Sequence, residues 1–416
     1  MARRTPLSLK AIQNHQEEPV TPRIRRTRTI VVLGAATALT LAGCGMSSSS
    51  SSSPTATQPA ATGSGTGTSG GGATKKVTLQ LQWVAQGQFA GYYVAAKKGY
   101  YAKEGLDVTI KPAGTDTVPI DVLASGDADY AISWVPKVLG SIEGGTKVTD
   151  VAQIFERSGT TQISFKDKGI TTPGDLKGKK VGSWGYGNQW ELFAGMQKAG
   201  IDTNSQISLV QQAFDMNGFL NGDIDAAQAM TYNEYAQVLE TINPKTGKLY
   251  QPDDLNVINW NTVGTAMLQD AIWANADKLA SDKDYQDTTT KFIKASIEGW
   301  IYTRDHPQEA ADIVAAAGST LPAGHQLWMV NEVNKLIWPS TGGIGVMQKS
   351  AWDQTVDIAL HTKDNTGKTV ITKDPPSDAY SNVYVEKALA ELKSEGQDVM
   401  GTSFKPITVT LKEGGK

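Results

Sequence analysis

The stretch from Val77 to Ile110 constrains the architecture more than any other part of this chain. Residues 77–83 alternate in character, with Val77, Leu79, Leu81 and Trp83 set against Thr78, Gln80 and Gln82. That two-residue period is the mark of a strand. Phe89, Tyr93, Ala96 and Tyr100 then fall at helical spacing, and Gly99 stands where a helix C-terminus favours a left-handed residue. Leu106, Val108 and Ile110 restore the alternation. Two strands joined through a helix make a parallel crossover unit. Open parallel sheets bind ligands beyond the carboxyl ends of their strands. Trp83 and the turn Gln86-Gly87-Gln88 are therefore expected at the mouth of a cleft.

The same rhythm continues. Val118–Ser125 reads as a short helix closed by Gly126, and residues 128–132 as a third strand ending at Ser133-Trp134. A helix around Val138 to Ile142 stops at Gly144-Gly145, and Val151–Phe155 reads as a fourth strand. Gly169 to Gly182 restarts the pattern with a strand at Val181–Trp184, a Gly185-Tyr186-Gly187 turn and a helix over Asn188–Ala199. Further strands fit Ile207–Val210, Ala226–Ala229 and Val257–Trp260, with a helix at Tyr232–Glu240. Past Thr262 the chain reads as helix-rich, with helices at Lys291–Tyr302, Pro307–Ala317 and His325–Leu336. The polar tail from Thr362, with one helix at Tyr384–Ser394, is expected to wrap the surface. At 416 residues the chain can bury two sizeable cores. An α/β fold of two lobes follows, each a mostly parallel sheet flanked by helices.

Residues 1–43 have the form of an export signal. A basic segment ends at Arg28, an apolar run follows from Ile30 to Leu41, and Leu41-Ala42-Gly43-Cys44 matches a lipobox. That run is too short to span a bilayer as a permanent helix. Cleavage before Cys44 and lipidation of its sulfur are expected. Arg25-Arg26 leaves the twin-arginine export route open beside the general one. Residues 44–74, rich in Ser, Thr and Gly, bury too little to offset ordering entropy and read as a flexible linker. Residues 1–43 carry a net charge of +5, which leaves -8 on the rest out of a total of -3. An acidic body excludes nucleic acid as the expected partner. Cys44 is the sole cysteine, so no disulfide is possible within one chain, and the four histidines stand far apart in sequence. No metal site is expected.

Several motifs together are family-specific. The strand ending in Trp83, the Gly91-Tyr92-Tyr93-Val94-Ala95 helix, the run from Lys98 to Val108 and the DLKGKKVG of Asp175 to Gly182 resemble the SsuA/ThiY-like solute-binding proteins of ABC importers. The resemblance covers residues 75–360. It implies the type II periplasmic-binding-protein fold, with a first lobe from 75–160, a second from 161–261, a helical return to the first over 262–360, and a tail from 361 to 416. Two crossings near Phe155–Phe165 and Asn256–Ala266 would form a hinge. It further implies a monomer without cofactor, anchored outside the cytoplasmic membrane, that delivers its solute to a permease driven by an ATPase. A thiamine pyrimidine precursor, hydroxymethylpyrimidine or its formylamino relative, is the leading expectation. Riboflavin, or an aliphatic sulfonate, taurine or nitrate, is the alternative. An enzyme is not expected. The yeast pyrimidine synthase of this fold consumes its own histidine with iron at a cysteine-rich motif, whereas this chain has no cysteine after Cys44 and no histidine between His15 and His306.

Three clusters could meet a ligand. In the first, Trp83 offers a stacking face, Gln86 and Gln88 offer paired donors and acceptors, and Phe89 follows them; core packing and helix capping are the alternative. In the second, Gly185 and Gly187 let backbone approach a solute. The resemblance assigns Tyr186 or Trp190 the aromatic ring there, and Glu191 the acid that bonds a pyrimidine. For Glu191 a solvated first-turn acid is the alternative. The third pairs Ser133 and Trp134 with Thr231, Tyr232, Asn233 and Glu234, from opposite lobes, with packing again the alternative. Beyond the export signal the chain has two arginines, Arg157 and Arg304, against ten tryptophans. That balance favours a flat heterocycle over an oxyanion.

Overall fold

The computed structural model describes residues Thr74–Lys416, so the export signal, Cys44 and nearly all of the linker lie outside the described residues. The alternation after Thr74 becomes strand β1 (Lys75–Gln80), followed by helix Ala90–Lys97 and β2 (Leu106–Lys111). β1 and β2 pair in parallel, with Val77 opposite Val108 and Leu79 opposite Ile110. β3 (Tyr130–Trp134) and β4 (Val148–Gln153) follow. The second set comprises β5 (Thr160–Phe165), β6 (Lys180–Ser183), β7 (Ser208–Gln211) and β8 (Ala226–Met230). A short hairpin of β9 (Ile242–Asn243) and β10 (Lys248–Leu249) leads to β11 (Leu255–Asn259) and β12 (Asp270–Asn275).

Two five-stranded sheets result, in the orders β2-β1-β3-β12-β4 and β11-β5-β8-β6-β7. Each is parallel except for one reversed strand, β12 in the first and β5 in the second. Helices cover both faces, which is why β3 is buried along its whole length. The chain passes between the sheets twice, over residues 154–159 and again over residues 260–269.

Two elements were not anticipated, and one expectation needs correction. The helix-rich region past Thr262 also contains a strand, with Ala271-Ile272-Trp273-Ala274 forming the buried centre of β12, between β3 and β4. Helix Lys349–His361, which buries Trp352, Thr355, Val356 and Ala359, was not anticipated. The tail does more than wrap the surface. Its helix Val383–Ser394 places Val385, Ala388, Leu389 and Leu392 in the first core, and Tyr380 bridges to Asp150 at the edge of β4. The sheet edge is thereby covered rather than left to pair with another chain.

Among the described residues no helix is long and apolar enough to cross a membrane.

Candidate functional site

The mouths of the two sheets meet. The first contributes the loop after β1, the end of β3 and the start of β12. Because β12 runs backwards, its first residue, Asp270, lies opposite Trp134 at the carboxyl end of β3. The second contributes the loops after β6, β7 and β8. Trp83 is half-buried, and its ring centroid lies 4.8 Å from that of Phe214, which follows β7. Trp184, Met230 and Tyr232 from the second sheet join the buried cluster built around β1 and β3. Tyr232 packs edge-on against Phe155 in the first crossing, with centroids 6.4 Å apart. Trp190 packs in a cluster with Met267 and Leu268 of the second crossing.

Asp270 organises the first mouth. Its Oδ1 accepts from Gln82 Nε2 at 2.6 Å, Trp134 Nε1 at 2.7 Å and Gln88 Nε2 at 3.1 Å. Its Oδ2 accepts from Gln88 Nε2 at 3.0 Å. Gln86 Nε2 in turn donates to Gln88 Oε1 at 2.6 Å. Burial pushes the Asp270 carboxyl up to about 7, against the pull of these donors and of Lys137. Burial also draws Lys137 down to about 8, opposed by the charge of Asp270. The Lys137 ammonium stands 4.8 Å from the centroid of the Trp134 ring.

Glu191 is buried in the first turn of helix Trp190–Lys198. Its Oε2 accepts from Ser158 Oγ at 3.0 Å and its Oε1 from the Met267 amide at 2.6 Å. One carboxyl therefore holds both crossings, and burial lifts it to about 7. Glu234 is similar. It accepts from the Met230 amide and from Asn233 Nδ2, each at 3.0 Å, and burial raises it to about 7. His325 on helix Ala323–Ile337 reaches from there to Glu240 at 2.9 Å and to Asn233 at 3.0 Å.

The sequence-assigned residues thus separate. Trp83, Gln88, Trp134, Trp190, Glu191 and Tyr232 converge on the seam. Phe89 is wholly buried in the first core, so its ring packs rather than facing the seam. Tyr186 is 81% exposed, and it sits at φ 51 between Gly185 and Gly187, both also at positive φ. Ser133 is buried and its carbonyl accepts from Trp273 Nε1 at 3.0 Å. The Thr231 carbonyl accepts from Trp328 Nε1 at 3.0 Å. Sequence reasoning missed Asp270, Gln82, Lys137 and Phe214; Trp184, which stands in the second sequence cluster, is buried, and its indole N–H has no partner among the described residues. A cavity of about 10 Å³ is lined by Trp134, Trp190, Glu191 and Gln269, among others. That is about one water's room, whereas ligand pockets run to a few hundred Å³. A solute enters only if the lobes or the side chains part. Among the described residues no group of three or more His, Cys, Asp or Glu could hold a metal.

Comparison with known proteins places this geometry. The formylaminopyrimidine-binding protein of Halalkalibacterium halodurans is 24% identical over 58% of this chain and 70% of its own. The 4-amino-5-hydroxymethyl-2-methylpyrimidine phosphate synthase of Aspergillus parasiticus is 24% identical over 45% of this chain and 54% of its own. Among solved structures, a putative periplasmic sulfonate-binding SsuA from Methylobacillus flagellatus superposes with a TM-score of 0.55 at 18% identity, covering 82% of this chain and 99% of that one. The last likeness shows the fold: two α/β lobes of periplasmic-binding-protein type. The family model described as "NMT1/THI5 like" matches residues 86–310, more than half of the chain, and the protein belongs to that family.

Proposed function

We propose that this chain is the extracytoplasmic solute-binding lipoprotein of an ABC importer, held at the outer face of the cytoplasmic membrane through Cys44. Its solute is a small aromatic heterocycle, first of all a thiamine pyrimidine precursor such as hydroxymethylpyrimidine or formylaminopyrimidine. One observation carries this reading: rings from both lobes meet across a seam that, among the described residues, contains no arginine. Trp83, Trp134, Trp190, Phe214 and Tyr232 can sandwich a flat ring. Arg157 instead donates to the carbonyls of Leu336 and Pro339, and Arg304 binds Asp305 and Asp398. The similarity to a formylaminopyrimidine-binding protein supports the choice of solute. Residues 154–159 and 260–269 serve as the hinge, and the closed lobes dock on a permease that a cytoplasmic ATPase drives. No covalent step is part of this reading; among the described residues the seam brings no histidine or cysteine to the rings.

Thermal shift against a panel of pyrimidines, flavins and sulfonates tests it. A solute present at a hundred times its Kd adds about 2.7 kcal/mol to stability, so the right one raises the melting temperature visibly. A shift with sulfonate or nitrate alone would overturn the choice of heterocycle. Trp190→Ala is expected to weaken heterocycle binding at least tenfold while the protein stays folded, as read by calorimetry and circular dichroism. Unchanged affinity would remove Trp190 from the site.

A further inference from the structure

The floor of the first mouth is built to accept hydrogen bonds. Asp270 is 1% exposed, and among the described residues every hydrogen-bond partner of its side chain is a donor from a neutral side chain. Among the described residues Oδ1 holds three of these bonds, while Oδ2 has only the Gln88 amide and retains acceptor capacity. Two of the donors, Gln82 and Gln88, belong to the loop after β1, the part of a parallel sheet that a ligand reaches first. Lys137 is the nearby cation, and it lies over the Trp134 ring. An anionic solute here would confront a carboxylate where water screens poorly.

We propose that Asp270 is the specificity-determining acceptor of the site. It takes N–H donors of the solute in place of the Gln82 and Gln88 amides, and so selects heterocycles with an amine beside a ring nitrogen. The proposal rests on the solute-binding reading of the seam. An amidine-type edge with its ring nitrogen protonated offers one donor to each carboxylate oxygen, the paired geometry that carboxylates bind best. An imide edge, as in a flavin, flanks its single N–H with two carbonyl oxygens that oppose the carboxylate. A sulfonate offers no donor at all. The amides of Gln82 and Gln88 keep Asp270 satisfied when no solute is present, since an unpartnered buried carboxylate is costly.

The test is calorimetry on the purified chain with two probes, 4-amino-5-hydroxymethyl-2-methylpyrimidine and its 4-oxo counterpart. The wild type is expected to prefer the amino form by up to about a hundredfold, the cost of leaving one buried polar group unsatisfied. Asp270→Asn should collapse that preference to within about threefold. Trp134→Phe, which removes the indole donor but leaves the carboxyl, should weaken both probes alike. Gln82→Leu, which frees Oδ1, should widen the preference. Asp270→Asn retaining the preference would overturn the proposal. So would Trp134→Phe abolishing it, since Asp270 would then act only by positioning the indole. Should Asp270→Asn fail to fold, a preference unchanged or narrowed in Gln82→Leu would overturn it instead. Failure of the wild type to bind either probe would sink the pyrimidine reading itself, a result distinct from a preference that survives Asp270→Asn.

Discussion

Raising the pH from about 5.5 to about 8 is expected to lower the melting temperature of the folded body by roughly 5 °C or more. Asp270, Glu191 and Glu234 are each lifted to about 7, in every case chiefly by burial. Their unfolded counterparts lose protons near 4. Between these limits the folded chain holds protons that the unfolded chain has released, so stability falls as pH rises and levels off above about 7. Full titration of one such group is worth on the order of 3 kcal/mol. Asp150 acts in the same sense. Burial raises it well above the carboxylate range, against a pull from the Ala152 backbone. The exposed carboxylates that are held low by hydrogen bonds, such as Asp175 and Asp202, matter only below about 4, where their stabilisation is lost. Lys137 acts with the opposite sign, but only above about 8. Melting curves across this range, repeated for Asp270→Asn, Glu191→Gln and Glu234→Gln, check the account. Each substitution should flatten the slope, and a wild-type curve that is level or rises with pH would refute it.

The strand–helix–strand opening was legible because each of its elements is amphipathic in its own period. β12 was not, because it is buried on both faces. Ala271-Ile272-Trp273-Ala274 has no alternation to read, and a short apolar run of this kind cannot be told from a piece of buried helix. Asp270 was lost with it. An acid before an apolar run is unremarkable until the reversed strand sets it opposite Trp134. Glu191 shows the converse difficulty. Its place in the first turn of a helix beside a glycine turn was clear, and so was its chemistry. Its two oxygens nevertheless go to Ser158 and Met267, residues 33 and 76 positions away in the chain. Tyr186 stands on the expected loop, but three successive positive-φ residues turn that loop so that the ring is exposed. Local pattern located the loops that border the seam. Which side chains face which lobe depends on the crossings, and these pair residues too distant in sequence for any window to relate.

Substituting Gly299 is expected to damage both fold and site. Gly299 lies in helix Lys283–Asp305, where it crosses helix Ala90–Lys97. A Cβ there would overlap the carbonyl oxygen of Gly91 and stand 2.9 Å from the Ala95 amide nitrogen, so the backbones must separate. Alanine regains about 1 kcal/mol of helix propensity, which partly offsets the overlap. Valine adds bulk without that benefit, and Gly299→Val should cost roughly 3 kcal/mol or more. The damage reaches further because helix Ala90–Lys97 starts two residues after Gln88. The Gly87 amide is held by Gln326 Oε1 at 2.6 Å, and a Cβ on Gly87 would lie 3.0 Å from that of Met329, so the loop cannot follow the helix outward as a unit. Strain therefore falls on Gln88 and its bonds to Asp270. Gly299→Ala should melt several degrees below wild type and bind an aminopyrimidine less tightly. A wild-type melting temperature for this variant would mean that the two helices separate at no cost. Normal melting with weakened binding would place the coupling in the loop alone.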